Sequence, residues 1–171
     1  MSSWDDNERP LAFLITFRTY GTWLHGDERG SIDRYNNRYR DPRHSANPVM
    51  KDQHAKRLKS KPVKLNGRQR ATIRAAIKGV CKHRNWRLIA INIRTNHIHL
   101  VVAINTAKPE SAVRDFKAYS TRALRHRNLW TESHSPWSEG GSCRYLWKET
   151  SVEAACEYVV NGQGEDLPDS R

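Results

Sequence analysis

The densest apolar pattern in the chain lies in the segments 86–94 and 97–104, which only Thr95 and Asn96 separate. A two-residue loop sets the register of a β-hairpin directly. Because side chains alternate between the faces of a strand, pairing the two residues that flank this loop makes one face wholly aliphatic. The facing pairs on that side are Ile93 with Ile98, Ile91 with Leu100 and Ile89 with Val102. The pattern therefore predicts a β-hairpin.

The opposite face of this hairpin is polar near the loop and apolar at its far end. His97 and His99 are two residues apart, so both side chains emerge on this face. The same register puts Arg94 beside His97 and Asn92 beside His99. Two imidazoles on one rigid strand make half of a metal site, although a strand histidine is more commonly satisfied by a hydrogen bond. The far end of the face consists of Leu88, Ala90, Val101 and Ala103.

The part of the chain before the hairpin predicts one strand and one helix with a long irregular stretch between them. The strand covers residues 11–20, with alternate apolar side chains on one face. Residues 21–63 are rich in Gly, Arg, Asn, Asp and Pro. A loop of this length in a compact domain is usually functional or mobile. Asn66 and Gln69 form a capping box that opens a helix ending near His83.

Two further helices are predicted after the hairpin. One spans about 111–125 with a basic outer face, and the other spans about 152–160. A capping box of Thr150 and Glu153 opens the second of these helices, and Gly162 ends it. We expect the connection between the two helices to be an ordered loop with at most a short strand.

Length and composition place the chain among globular proteins. Its length predicts a single domain over 1–171, with the irregular stretch at about 21–63 as an insertion. No apolar run approaches the roughly 20 residues that cross a bilayer, and the first ten residues are polar and acidic, unlike a signal peptide. The cysteines, Cys81, Cys143 and Cys156, fit neither a disulfide framework nor a zinc knuckle. We therefore expect a cytoplasmic protein with buried or incidental thiols.

The charge is strongly positive and unevenly placed. Thirty Lys and Arg against eighteen Asp and Glu give a formal net charge of +12. Such a balance favours a polyanionic partner, because neutralising phosphates releases counterions. The sequence therefore predicts nucleic-acid binding and association with the nucleoid. The basic residues form two clusters, Lys51, Lys56, Arg57, Lys59, Lys61, Lys64, Arg68 and Arg70, and Arg114, Lys117, Arg122, Arg125 and Arg127.

The final predicted helix adds a motif to the histidine pair. Tyr158 lies there 59 residues after His99, with Asn161 and Gln163 about one turn further on. A strand-borne His-x-His followed by a late helical tyrosine and an amide, in a basic chain of this size, resembles the HUH single-strand transposases of the IS200/IS605 type and the related REP-associated tyrosine transposases. The resemblance covers residues 11–163. It implies an α+β fold, a ferredoxin-like antiparallel sheet with helices packed on one face, usually in a homodimer.

The resemblance also implies the chemistry of the site. His97 and His99 would hold a divalent cation, Mg2+ or Mn2+, with Gln163 as the third ligand and Asn161 as the alternative. The cation would stabilise the charge on a phosphodiester. Tyr158 would attack phosphorus and form a covalent 5′-phosphotyrosine, which stores the bond energy for rejoining without a nucleotide cofactor. The candidate DNA-binding side chains are Arg18, Arg94, Lys117, Arg114 and Arg122.

One feature departs from the family pattern, in which the amide follows the tyrosine by four residues. Position 162 is glycine and Gln163 lies at five, which turns a side chain by about 100° on an ideal helix. Gln163 can therefore serve only if the helix ends or loosens at Gly162. Tyr119, on the preceding helix, is the competing nucleophile. The tryptophans that could stack on unpaired bases, or simply pack in the core, are Trp23, Trp130, Trp137 and Trp147.

Together these patterns predict a metal-dependent enzyme that nicks and joins single-stranded DNA and recognises a DNA hairpin, with no membrane partner. Two alternatives stay open. The first is a nucleic-acid-binding relative that keeps the fold without the catalysis. The second is a metal-dependent hydrolase that uses the histidine pair without a covalent intermediate.

Overall fold

A computed structural model describes residues 9–22, 48–165 and 167. Four strands form one antiparallel sheet in this part of the chain. They are β1 (Ala12–Arg18), β2 (Arg87–Ile93), β3 (His97–Ala103) and β4 (Ser142–Leu146), in the spatial order β2-β3-β1-β4. The helices are α1 (Pro48–Lys56), α2 (Gly67–Arg84), α3 (Pro109–His126) and α4 (Glu149–Asn161). The strand order and the crossovers through α2 and α3 confirm the predicted α+β fold with a ferredoxin-like sheet.

α2 and α3 pack side by side over one face of the sheet and cover the larger core. β1 contributes Phe13, Ile15 and Phe17 to this core, as the alternation of its side chains predicts. Ile77 from α2 and Phe116 from α3 are fully buried against the sheet. These two helices form the helical layer that the sequence predicts on one face.

α4 lies on the opposite face of the sheet, against β2, β3 and β4. Its buried residues Ala155 and Val159 pack on a small cluster that includes Leu14, Ala90 and Val101. The contact surface is aliphatic and smaller than the core under α2 and α3. This third helix places the end of the chain over the face on which His97 and His99 emerge.

The hairpin of β2 and β3 has the predicted register next to its loop, but not at its far end. Ile93 faces Ile98 and Ile91 faces Leu100, as predicted. A bulge then places Leu88, not Ile89, opposite Val102. An extra residue in one strand reverses the faces beyond it. As a result, Leu88 packs in the α2–α3 core and Ile89 packs on the α4 side, which corrects the pairing of Ile89 with Val102.

The helix starts give one confirmation and one correction. α2 opens on the predicted capping box, in which the Gln69 N–H donates to Asn66 Oδ1 and the Asn66 N–H donates to Gln69 Oε1, both at 2.9 Å. The predicted box of Thr150 and Glu153 is wrong. α4 begins at Glu149, three residues before the predicted start at 152, so Thr150 already lies inside the first turn and cannot cap it.

α1 corrects the prediction that 21–63 is irregular throughout. Proline at its first position is preorganised for a helix, and an ion pair of 2.7 Å joins Asp52 to Lys56 one turn later. The helix has almost no apolar face, so periodicity does not reveal it. Residues 23–47, with Trp23, lie outside the described residues.

Candidate metal and nucleophile site

His97 and His99 emerge on the α4 side of β3, with ring centroids 4.6 Å apart. His99 is almost fully buried, and its backbone lies between Thr16 on β1 and Asn92 on β2. His97 is half-buried nearer the hairpin loop. The structure therefore brings the two imidazoles together in the partly enclosed space between the sheet and the end of α4.

A neighbouring side chain holds the Nδ1 atom of each histidine. Thr16 Oγ1 lies 2.7 Å from His99 Nδ1, and Asn96 Oδ1 lies 2.6 Å from His97 Nδ1. The Asn96 oxygen is an acceptor, so His97 Nδ1 is the donor in that contact. Hydrogen bonds of this kind commonly orient imidazoles for metal binding through the other ring nitrogen. In both rings the atom that would face a metal is the second nitrogen, Nε2.

Gln163 completes the arrangement from the end of α4. The helix ends at Asn161 and Gly162 is its C-cap, so the condition under which Gln163 can reach the histidines is met. Gln163 Nε2 donates to the Tyr158 carbonyl oxygen at 3.2 Å, which fixes the orientation of the amide. Its Oε1 then lies 3.2 Å from His97 Nε2.

The atoms that face each other across this gap suit a divalent cation. In a neutral His97 ring with Nδ1 as the donor, Nε2 would present a lone pair, as Gln163 Oε1 does. Two adjacent octahedral ligands at about 2.1 Å from a cation lie about 3 Å apart, close to the observed separation. A cation that accepts imidazole and oxygen together, such as Mn2+, fits these donors.

Asn161, the alternative ligand, is directed elsewhere. It is exposed, and its Nδ2 donates to Glu157 Oε1 at 2.8 Å. Within the described ranges, no group of three or more His, Cys, Asp or Glu side chains gathers as a metal site. The donor set of the candidate site is therefore two imidazoles and one amide oxygen.

Tyr158 lies on α4 beside the histidines. Its ring centroid is 5.4 Å from that of His99, with the two rings nearly perpendicular. The side chain is 41% exposed, so its hydroxyl is accessible to a large substrate. A Cβ atom at Gly162 would come within 2.7 Å of the Tyr158 carbonyl oxygen and 3.0 Å of its ring. Glycine at this position therefore makes room for the tyrosine, and the next residue provides the amide.

The five candidate DNA-binding residues lie on both sides of the sheet. Arg18 pairs with His97 across the β1–β3 register, and Arg94 Nη1 donates to the Glu165 carbonyl oxygen at 2.8 Å, so both flank the site. Arg114, Lys117 and Arg122 belong to α3, on the other side.

Lys117 is largely committed to the protein itself. Its Nζ donates to the carbonyl oxygens of Ser138, at 2.8 Å, and of Gly140. Burial, together with the charge of Arg18, lowers the pKa of Lys117 to about 8. Arg114 and Arg122 are less constrained, since Arg114 contacts Ser111 Oγ at 3.2 Å and the Arg122 guanidinium lies over the Tyr119 ring at 5.1 Å.

The competing aromatic residues lie away from the histidines. Tyr119 is on α3, on the opposite face of the sheet from Tyr158. Trp137 is buried in the core, and Trp130 donates through Nε1 to the His134 carbonyl oxygen at 2.8 Å. Trp147 is half exposed at the end of β4. Of these residues, the structure brings only Tyr158 to the histidine pair.

Thr16 is the site residue that sequence reasoning missed. It lies on β1, which is far from the histidines in sequence and adjacent to them in the sheet. Thr16 lies on the polar side of a strand whose side chains alternate, and this alternation is the sequence signal for it. The register of β1 against β3, which places Thr16 beside His99, does not follow from neighbouring residues in the sequence.

The cysteines are free thiols, as expected. Burial raises the pKa of Cys81 to about 11 and that of Cys143 to about 12.

Comparison with known proteins gives one family and a set of solved structures. The family described as "Transposase IS200 like" matches residues 50–162. A REP-associated tyrosine transposase bound to a REP hairpin is similar at 12% identity and a TM-score of 0.48, covering 93% of this chain and 70% of that one. A protein of Deinococcus radiodurans R1 with a provisional transposase assignment is similar at 11% identity and 0.46, covering 94% and 97%. No curated protein matches.

Among the described helices, none combines the length and apolar character needed to cross a membrane.

Proposed function

Because the chain belongs to the family of IS200-like transposases, we propose that it nicks and joins single-stranded DNA, with Tyr158 as nucleophile. His97, His99 and Gln163 would hold the divalent cation, Mg2+ or Mn2+. The observation that carries this proposal is the position of Gln163. Its amide contacts the Tyr158 backbone through nitrogen and faces His97 through oxygen, so it connects the nucleophile to the metal ligands.

The proposed reaction is the one that the resemblance to tyrosine transposases implies. The Tyr158 hydroxyl would give up its proton to water as its oxygen forms a bond to phosphorus, and the bond from phosphorus to the 3′ oxygen would break. The leaving 3′ oxygen would take up a proton from water, so the products are a 5′-phosphotyrosine and a free 3′-hydroxyl. The phosphoryl bond energy stays in the tyrosine ester, so rejoining needs no nucleotide cofactor. A bound cation would neutralise charge on the non-bridging phosphate oxygens. Arg18 and Arg94 are close enough to the site to contact the flanking phosphates.

The opposite face of the sheet supports binding of folded DNA, such as a hairpin stem. α2 carries six Lys and Arg and no acidic residue, and α3 carries four against two acidic residues. Such an excess on adjacent helices attracts a phosphate backbone without reading sequence. Arg114 and Arg122 are the candidates for this contact, whereas Lys117 is held by two carbonyl oxygens. We propose that the helical layer binds the stem while α4 faces the single strand.

We also propose that two copies associate through β4. This strand is at the edge of the sheet, so one side of its backbone is open to pairing in the described part of the chain. Tyr145 and Trp147 are about half exposed beside it with ring centroids 6.1 Å apart, so the two side chains form one exposed aromatic pair that an interface could cover. Light scattering of wild type and Trp147→Asp tests this contact, because the added charge should lower the mass if the edge is the interface.

The direct test of function is a covalent adduct. Labelled hairpin DNA with a single-stranded flank is incubated with the protein and Mn2+, and the products are separated under denaturing conditions. We expect a protein–DNA adduct from wild type and from the control Tyr119→Phe, and none from Tyr158→Phe. Cleavage without an adduct would indicate the hydrolase, and binding without cleavage would indicate the non-catalytic relative.

A further inference from the structure

Asn92 is a buried polar residue in an interface that is otherwise largely apolar. It is 1% exposed, lies opposite His99 in the β2–β3 register and faces α4. Its Nδ2 donates to the Val159 carbonyl oxygen at 2.9 Å. Within the described residues its Oδ1 accepts no hydrogen bond, so the contact to α4 runs through the amide nitrogen. Burying an amide is costly unless it is hydrogen-bonded, which makes this contact specific for one position of the helix.

The contact caps the end of α4 from a neighbouring strand. The last four carbonyl groups of a helix have no partner within it. The Tyr158 carbonyl oxygen receives the Gly162 N–H at 3.0 Å and the Gln163 amide at 3.2 Å. The next carbonyl, that of Val159, receives Asn92. Asn92 therefore holds the carbonyl that immediately follows the candidate nucleophile.

The apolar contacts of α4 are not sufficient to define its position. Ala155 and Val159 pack on a sheet surface of aliphatic side chains that includes Leu14, Ala90 and Val101, and such contacts have little directional preference. A shift of α4 by one residue would move it by about 1.5 Å and rotate it by about 100°. Tyr158 would then leave the side of His99. A directional hydrogen bond beside Tyr158 prevents this shift.

We infer that Asn92 is a positioning residue that holds the last turn of α4, and with it Tyr158, beside the histidines of its own chain. This inference rests on the proposed function for its catalytic consequence. Its structural part, that the Asn92 amide fixes the end of α4, can be tested without any reaction.

The test compares Asn92→Leu, which keeps the branched shape of the side chain and has no donor, with Leu14→Ala, which removes apolar contact from the same interface. For each variant we would measure thermal unfolding, Mn2+ affinity by electron paramagnetic resonance, hydrogen exchange in α4 and the rate of adduct formation in a single turnover. We expect Asn92→Leu to speed exchange in the last turn of α4 more than Leu14→Ala does. Adduct formation should slow by about 10-fold to 100-fold. Mn2+ affinity should fall by a smaller factor, because His97 and His99 stay in place on β3 and only Gln163 moves with the end of α4.

Three outcomes would overturn the inference. Hydrogen exchange in α4 could be no faster in Asn92→Leu than in Leu14→Ala, which would show that the amide does not hold the helix. Mn2+ affinity could fall by the same factor as the rate of adduct formation, which would show that the substitution disturbs the histidines and not the position of Tyr158. Adduct formation at a matched folded fraction could be equal in the two variants, which would reduce Asn92 to a contribution to stability.

A mixture of two inactive variants tests whether the site is assembled within one chain. His97→Ala keeps the tyrosine and Tyr158→Phe keeps the metal ligands, so together they would form a complete site only across two chains. We expect no adduct from the mixture, and an adduct would contradict assembly within one chain. If wild type itself forms no adduct, the proposed function fails, and hydrogen exchange alone then decides whether Asn92 holds α4.

Discussion

The two faces of the sheet are built for different tasks. The face under α2 and α3 buries large side chains, including Phe17, Phe116 and Ile98, with almost no exposed surface. The face under α4 buries mostly small apolar residues and, among them, the polar Asn92 and His99. Stability therefore depends mainly on one face, and the candidate chemistry lies on the other. The same four strands serve both because side chains alternate across a sheet.

The largest expected effect comes from removing a proposed metal ligand from the face under α4. His97→Ala should abolish Mn2+ binding and adduct formation while changing thermal unfolding little, because His97 is only half-buried. Electron paramagnetic resonance of Mn2+ and a melting curve of the same sample give both results. Unchanged Mn2+ affinity in this variant would refute the donor set.

The reciprocal change removes a large side chain from the core face. Phe116→Ala should lower the free energy of unfolding by about 3–5 kcal/mol, because it opens a cavity in the best-packed part of the molecule. Urea denaturation measures this change. At low temperature, where the variant is still folded, its Mn2+ affinity should match that of wild type. A loss of metal binding in the folded variant would mean that the two faces are coupled.

A smaller effect on metal affinity is expected at Thr16, which lies on the face under α4 and is not one of the proposed metal ligands. Thr16→Val keeps the shape of the side chain and removes the oxygen that lies 2.7 Å from His99 Nδ1. Loss of such an orienting contact typically costs about 10-fold to 100-fold in metal affinity. Titration with Mn2+ checks this, with Thr16→Ser as the control that restores the hydroxyl. Equal affinity in Thr16→Val and wild type would remove Thr16 from the site.

The smallest expected effect is a change in stability with pH. It concerns Lys117 on α3, at the edge of the face under α2 and α3. The pKa of Lys117 is lowered in the folded state to about 8 from 10.5, so the unfolded chain binds more protons between these values. The Lys117 contribution to stability should therefore rise with pH from about 8 towards 10.5. The buried thiols Cys81 and Cys143 have raised pKa values and oppose this trend above pH 9.

Urea denaturation between pH 7 and 9 isolates the Lys117 contribution when wild type is compared with Lys117→Met. The difference in unfolding free energy between the two proteins should change in favour of wild type as pH increases. A difference that is independent of pH would contradict the lowered pKa.

Local signals predicted most of the fold and part of the site. The hairpin loop fixed Ile93 against Ile98, and the capping box located the start of α2, because both depend on neighbouring residues. The bulge at Ile89 was not predictable, since it reflects the competition of two cores for adjacent side chains. Thr16 was missed because its partner His99 is 83 residues away. α1 was missed because it has almost no apolar face.

Gly162 has a consequence for how relatives of this chain are recognised. Because Gly162 has no side chain, the Tyr158 ring can lie in the space beside position 162, one helical turn after Tyr158. The amide that faces His97 then comes from the residue after the glycine, Gln163. The distance in sequence from tyrosine to amide is thus set by where the helix ends. A search that demands a fixed interval would reject this chain, whereas one that locates the helix terminus and takes the first amide beyond it would retain it.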